Sequence, residues 1–157
     1  MHPLLFTMAL LLSAHSALAG GVQPFPGVKY ATVSAYNFNA KQGRPECTMP
    51  VNEDGSLCSS VKEQGKQLSK TQVQKVLKIL NADSSYRRGF AKCFIPHHAL
   101  VFFNTEGKPV AQVSLCFKCH QLLIEPSRPR RRSIAQAAQY DLQDLCVELG
   151  LKNCREN

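Results

Sequence analysis

The chain has 157 residues, of which 19 are Lys or Arg and 11 are Asp or Glu, and its formal net charge is +8. This length suits one domain with a substantial core, and the charge favours acidic partners or anionic surfaces without saying anything about the fold. The sequence contains neither G-x-S-x-G nor H-E-x-x-H, which argues against the hydrolases that these motifs mark.

Residues 1–19 carry the features of a secretory signal peptide. They contain no Lys, Arg, Asp or Glu, and residues 4–12 form an apolar core that is too short to span a bilayer as a stable helix. Ala17-Leu18-Ala19 then offers the small-x-small pattern that signal peptidase accepts. We therefore expect a periplasmic or secreted protein with one mature domain at residues 20–157 and no transmembrane anchor in that domain.

The first half of the mature chain predicts a strand, a loop and a helix. Strand-forming residues recur at period two from Val28 to Phe38. Cys47 and Cys58 bracket the loop that follows, and a disulfide that closes this loop is predicted. Ser69 and Gln72 have the spacing of a capping box at the start of a helix over about 70–81. The apolar stripe of that helix has the spacing i, i+3, i+4, i+7 and consists of Val73, Val76, Leu77 and Leu80.

The second half predicts a β-hairpin and a second helix. The hairpin strands lie at about 99–104 and 110–116, and Thr105-Glu106-Gly107 forms the loop between them. Residues 121–124 extend the second strand or form a third one. The second helix covers about 134–149, with Ser133 and Gln136 as a capping box and Gly150 as a C-cap. The predicted fold is therefore α+β, a small antiparallel sheet built on the hairpin with two helices.

Basic residues and cysteines mark the two ends of this second helix. The preceding loop carries an arginine run, which we interpret as a solvated loop and not as a nucleic-acid site. At the other end, Cys146 and Cys154 are predicted to pair across the helix terminus. The arginines of the run are Arg128, Arg130, Arg131 and Arg132.

Pairing along the hairpin gathers cysteines and histidines at its open end. If Asn104 faces Lys108, then Cys119 lies opposite Cys93, and His97 lies opposite Leu115. The residues that gather are Cys93, His97, His98, Cys116, Cys119 and His120. Because all seven cysteines follow residue 19 and seven is odd, at least one thiol is left for a metal, a reactive role or an intermolecular bond.

Four chemistries remain open for this cluster. A zinc-like site would use the Cys116-x-x-Cys119 spacing together with Cys93 and either His97 or His98. A purely structural cluster would pair Cys93 with Cys119 or with Cys116.

The other two chemistries use the C-x-x-C pair directly. Cys116-x-x-Cys119-His120 is the attachment pattern of c-type haem, in which both thiols form thioethers and His120 binds the iron. A thiol oxidoreductase would use Lys118 and the nearby histidines to lower the pKa of a thiol.

The block Cys93-Phe94-Ile95-Pro96-His97-His98, with Cys116-Phe117-Lys118-Cys119 after the hairpin, resembles one found in small uncharacterised exported bacterial proteins. The resemblance implies a periplasmic setting and brings no activity with it.

The sequence as a whole favours transition-metal binding, with zinc as the metal and haem c as the less favoured cofactor. The alternative is a disulfide-stabilised, non-enzymatic binding or inhibitor protein whose basic surface meets an acidic protein or an anionic surface. Nucleic acid is not an expected partner.

Overall fold

The structure is a computed structural model that describes residues 24–39, 47–61, 63–89, 91–126 and 131–155. The predicted signal peptide at residues 1–19 lies outside the described residues, as do Arg128 and Arg130 of the arginine run. Within these ranges, no helix has both the length and the apolar character needed to cross a membrane.

In the described ranges, seven strands form one sheet in the order β2-β1-β4-β5-β6-β7-β3, and each pairing in it is antiparallel. The sheet with its two helices fits the predicted α+β class, although it is larger than the small sheet expected from the hairpin alone. The predicted hairpin strands are its third and fourth strands, so they occupy the interior of the sheet. The strands are β1 (Thr32–Asn37), β2 (Lys66–Gln67), β3 (Tyr86–Arg87), β4 (His98–Phe103), β5 (Pro109–Cys116), β6 (Gln121–Glu125) and β7 (Arg131–Ile134).

The hairpin β4–β5 closes as predicted and then shifts register. The Asn104 N–H donates to the Lys108 carbonyl at 2.9 Å, and Gly107 takes a left-handed conformation with φ 73°. A bulge between Phe102 and Phe103 moves the remaining pairs by one residue, so that His98 lies opposite Leu115. The prediction that His97 occupies this position is therefore wrong, because it assumed an unbroken ladder. The extra residue is Val110 of β5, so the side chains along β4 still alternate and His98 lies on the same face as Leu100 and Phe102.

The first helix, α1 (Lys70–Asn81), matches its prediction. The Gln72 N–H donates to Ser69 Oγ at 3.3 Å and the Ser69 N–H donates to Gln72 Oε1 at 2.8 Å, which is the predicted capping box. The α1 residues that are buried are Val76, Ile79 and Leu80.

The second helix, α2 (Gln136–Glu148), begins later than predicted because residues 131–134 pair as β7 between β6 and β3. The capping box at Ser133 is wrong, since the Ser133 hydroxyl donates to the Gly89 carbonyl and Ala135 is the N-cap, with no side-chain acceptor. Gly150 ends the helix as expected, with φ 67° just after the C-cap Leu149.

The two helices pack on one face of the sheet, and the loop at residues 47–61 lies over the other. On the helix face the buried sheet residues include Leu100, Phe102, Val113, Leu122 and Ile124. On the opposite face Val51 from the loop packs with Tyr36 and Val101. The predicted disulfide between Cys47 and Cys58 closes this loop, with 5.9 Å between the Cα atoms. The hairpin therefore belongs to a sheet that the helices cover on one face and the loop at residues 47–61 covers on the other.

Candidate functional site

Cys93 and Cys119 form a disulfide at the open end of the hairpin. Their Cα atoms lie 5.9 Å apart although 26 positions separate them in sequence, and this is one of the two pairings that the sequence left open for Cys93. Cys119 belongs to the turn that joins β5 to β6, where the His120 N–H donates to the Phe117 carbonyl at 3.1 Å. The disulfide thus fastens the segment before β4 to the β5–β6 turn.

Cys116, the last residue of β5, is the cysteine that carries a free thiol, and it is buried. Burial raises the pKa of this thiol, while the backbone N–H groups of Ile95 and Cys119 act in the opposite direction. A raised pKa keeps the sulfur protonated at neutral pH, and a protonated, buried thiol is a poor nucleophile. The geometry gives no support to a reactive Cys116-x-x-Cys119 pair in this oxidised form.

The three predicted site histidines lie in different environments. The Nδ1 atom of His97 lies 3.1 Å from Asn39 Oδ1 in a partly exposed position. His98 is 3 % exposed, and its ring centroid lies 4.9 Å from that of Phe117. His120 is partly exposed and has φ 51°, in the turn that holds Cys119. The structure therefore does not gather these side chains with the hairpin cysteines at one point.

His98 instead meets the predicted Cys146–Cys154 disulfide, which forms with 5.6 Å between the Cα atoms. One donor atom from each of these three buried residues lies within 4.8 Å of the other two. Within the part of the chain that the structure describes, this is the one group of three His, Cys or carboxylate side chains with such spacing. It shares only His98 with the predicted cluster.

Sequence reasoning missed this group for a specific reason. The Cys146–Cys154 pair was predicted, but nothing in the sequence placed the end of α2 over β4. The available signal was the alternation along β4, because His98 has the parity of Leu100 and Phe102 and should share their face. Leu100 and Phe102 do pack on the helix side, in the same core as Cys146 and Cys154.

A cluster of basic residues lies near the edge of the sheet that β3 forms, where β3 pairs with β7 and β7 with β6. We call residues 86–89, 91–96, 117–121 and 131–135 the basic edge. They contain no Asp or Glu. The six Lys and Arg residues of the basic edge are Arg87, Arg88, Lys92, Lys118, Arg131 and Arg132.

Hydrogen bonds and ring contacts hold two arginines of the basic edge in place. Arg131 donates to Gln121 Oε1 at 2.5 Å and, through Nη2, to the carbonyls of Cys93 at 2.6 Å and Ala91 at 3.2 Å. The Arg131 guanidinium also lies 5.0 Å from the centroid of the Phe94 ring.

The second arginine, Arg132, lies over Tyr86, 4.6 Å from its ring centroid. Burial raises the pKa of the Tyr86 hydroxyl, which donates to the Leu80 carbonyl at 2.5 Å. The rings of Phe94 and Tyr86 are therefore both in contact with an arginine side chain.

The chain matches no protein-family model, no curated protein and no solved structure. Three features of the described residues bear on function. They are an oxidised cysteine pair with a buried thiol beside it, a histidine packed on a second disulfide, and the four segments of the basic edge, which contain six basic residues and no acidic ones.

Proposed function

We propose that this protein is an exported, disulfide-stabilised and non-enzymatic binding protein whose basic edge binds an acidic segment of a partner protein. The observation that carries the proposal is the absence of any carboxylate from the four segments of the basic edge, which contain six Lys and Arg residues. Export follows from the predicted signal peptide and is part of the proposal.

The state of the cysteines supports a structural role for them. Three disulfides use six cysteines, and the seventh thiol is buried with a raised pKa. Zinc at the hairpin would need deprotonated thiols, and attachment of haem c would need both Cys116 and Cys119. The disulfide to Cys93 engages Cys119, so in this form neither zinc binding nor haem attachment has all the cysteine thiols that it needs.

The arrangement of charge supports an anionic partner. Arg87, Arg88, Lys92 and Lys118 are exposed, while Arg131 is held by three hydrogen bonds. Clustered charge of one sign raises the local concentration of an oppositely charged partner and speeds association. Arginine suits carboxylates in particular, because its planar guanidinium can donate two parallel hydrogen bonds to one carboxylate.

An acidic protein fits this edge better than a lipid surface or a nucleic acid. Peripheral membrane binding usually adds apolar side chains that enter the lipid. Among the residues that the structure describes, the large apolar residues that are exposed are Val28, Leu57, Tyr140 and Val147, and each lies outside the basic edge. Single-stranded nucleic acid binds by stacking on aromatic rings, but Phe94 and Tyr86 are already in contact with arginines.

A poly-L-glutamate peptide with a fluorescent label is the probe that tests this proposal, with binding followed by fluorescence anisotropy. The double variant Arg87→Glu/Arg88→Glu should bind the peptide roughly 10-fold more weakly than the wild type, because two contacts become repulsive. Lys70→Glu/Lys78→Glu is the matched control, since it makes the same change in net charge on the exposed side of α1.

Two outcomes would overturn the proposal. The first is an equal loss of affinity in the edge variant and in the α1 control, which would show that only net charge matters. The second is that wild-type protein does not bind the peptide even at low ionic strength, where surface charges are screened least. If the edge variant binds the peptide more weakly than the α1 control, the two variants can then be compared in capture experiments to identify the natural partner.

A further inference from the structure

We propose that His98, Cys146 and Cys154 form a binding site for a transition-metal ion, with zinc as the best match, when the disulfide between the two cysteines is reduced. This site differs from the cluster predicted at the hairpin and does not depend on the basic edge. It would make metal binding and disulfide formation alternative states of the same two sulfur atoms.

The donor atoms already converge. They lie within 4.8 Å of one another, and the three residues are 3 %, 4 % and 5 % exposed, respectively. In a tetrahedral zinc site with Zn–S bonds of about 2.3 Å, two sulfurs lie about 3.8 Å apart. Reduction would let Cys146 and Cys154 separate to that distance.

The three ligands come from separate elements that the fold holds together. His98 begins β4, Cys146 lies in the last turns of α2, and Cys154 follows Gly150 in the C-terminal segment. Cys146 and Cys154 belong to the same buried core as Leu100 and Leu145. A site supported by a strand, a helix and a packed core is more rigid than one built on loops.

The hydrogen bond of His98 is the one that metal-bound histidines typically make. Its Nε2 atom lies 2.6 Å from the Lys152 carbonyl oxygen, which can only accept, so Nε2 donates. This tautomer places the ring lone pair on Nδ1, so Nδ1 is the atom that would bind the metal. Donation of the second ring N–H to a backbone carbonyl orients the imidazole of most histidine metal ligands and increases their basicity.

The chemistry balances with a dithiol reductant as the second reactant. The reductant is oxidised to its disulfide, the bond between Cys146 and Cys154 breaks, and two thiols form. Metal binding then releases both thiol protons, because the thiolate is the form that binds. Two thiolates and one imidazole suit zinc, with water as the fourth ligand.

Cobalt(II) is the probe for the test, because its thiolate complexes are coloured and it occupies zinc sites. The whole chain is reduced with a phosphine under anaerobic conditions and titrated with cobalt(II). We expect one equivalent to bind with thiolate-to-metal charge-transfer absorption. Cys146→Ser and His98→Gln should each weaken binding by more than about 10-fold, since even loss of a supporting partner can cost this much.

Two control variants leave the three proposed ligands unchanged. His97→Gln changes the neighbouring, partly exposed histidine, and the double variant Cys93→Ser/Cys119→Ser removes the hairpin disulfide; both should bind cobalt like the wild type. Should reduction alone unfold the chain, recovery of helical circular dichroism on addition of zinc becomes the readout for the same variants. The proposal is overturned if reduced wild type binds no cobalt, or if the hairpin variant loses binding while Cys146→Ser keeps it.

Discussion

The guanidinium of Arg131 donates a hydrogen bond to the backbone carbonyl of Cys93 at 2.6 Å. Cys93 is bonded in turn to Cys119, so the basic edge and the hairpin disulfide form one connected unit. The buried Gln121 side chain completes it, because its Oε1 accepts from Arg131 Nε and its Nε2 donates to the Ala91 carbonyl. An arginine from the predicted solvated run is therefore a structural residue of this edge.

We expect Arg131→Met to lower the free energy of unfolding by about 2–3 kcal/mol, because partly buried acceptors lose a charged donor. Lys92→Met is the control: it removes the same charge from an exposed position and should change stability by less than about 0.5 kcal/mol. Urea denaturation followed by circular dichroism measures both. Equal effects of the two variants would show that Arg131 contributes only its charge.

Cys116 should be the one thiol that reacts with iodoacetamide after the oxidised protein is denatured without reductant. In the native protein the reaction should be slower than that of a free cysteine at the same pH, because burial raises the thiol pKa and only the thiolate reacts. Reaction at two or more sites in the denatured oxidised chain, seen by mass spectrometry, would contradict the three disulfides.

The same raised pKa predicts how stability changes with pH. Above the pKa of an unfolded cysteine, about 8.5, the unfolded chain loses the Cys116 proton before the folded chain does. The folded state then binds more protons, so its stability falls as pH rises. Above about pH 8.5, the free energy of unfolding of Cys116→Ala should therefore decline less steeply than that of the wild type. Below that pH, the profiles of the two proteins should run parallel.

The predicted elements were most accurate where the local signal and the tertiary structure agree. The capping box of Ser69 and Gln72 set the start of α1, and Gly107 closed the hairpin at its predicted loop. The start of α2 was wrong because Ser133 and Gln136 also fit a capping box, while pairing with β6 and β3 draws residues 131–134 into the sheet. Local sequence does not report that competition.

The candidate site shows the same limit. The sequence identified the cysteines and histidines that carry chemistry, and the Cys47–Cys58 and Cys146–Cys154 pairs formed as predicted. The bulge between Phe102 and Phe103 then placed His98, and not His97, opposite Leu115. Bulges leave a weak sequence signal, and the packing of α2 over β4 leaves none, so the meeting of His98 with Cys146 and Cys154 needed the three-dimensional structure.

Ala135→Ser should stabilise the protein by about 0.5–1 kcal/mol. Ala135 is the N-cap of α2, with φ −70° and ψ 149°, and its side chain offers no acceptor to the first turn. Serine adopts this conformation and can accept a hydrogen bond from a free N–H of that turn. Thermal and urea unfolding measure the gain, and Ala137→Ser, at the second residue of the helix and past the N-cap position, is the control that should give no such gain. A loss of stability in Ala135→Ser would place the start of the helix elsewhere.

His98→Ala should lower the free energy of unfolding of the oxidised protein by about 2–4 kcal/mol, whereas His97→Ala should change it by less than about 0.5 kcal/mol. His98 is buried against Phe117 and donates to the Lys152 carbonyl, so its loss leaves a cavity and removes a tie between β4 and the C-terminal segment. His97 is partly exposed, and its contact to Asn39 lies at the surface. Because the residues are adjacent, the comparison tests which of the two histidines shares the buried face of Leu100 and Phe102. A larger effect of His97→Ala would mean that the side chains of β4 point to the opposite faces of the sheet.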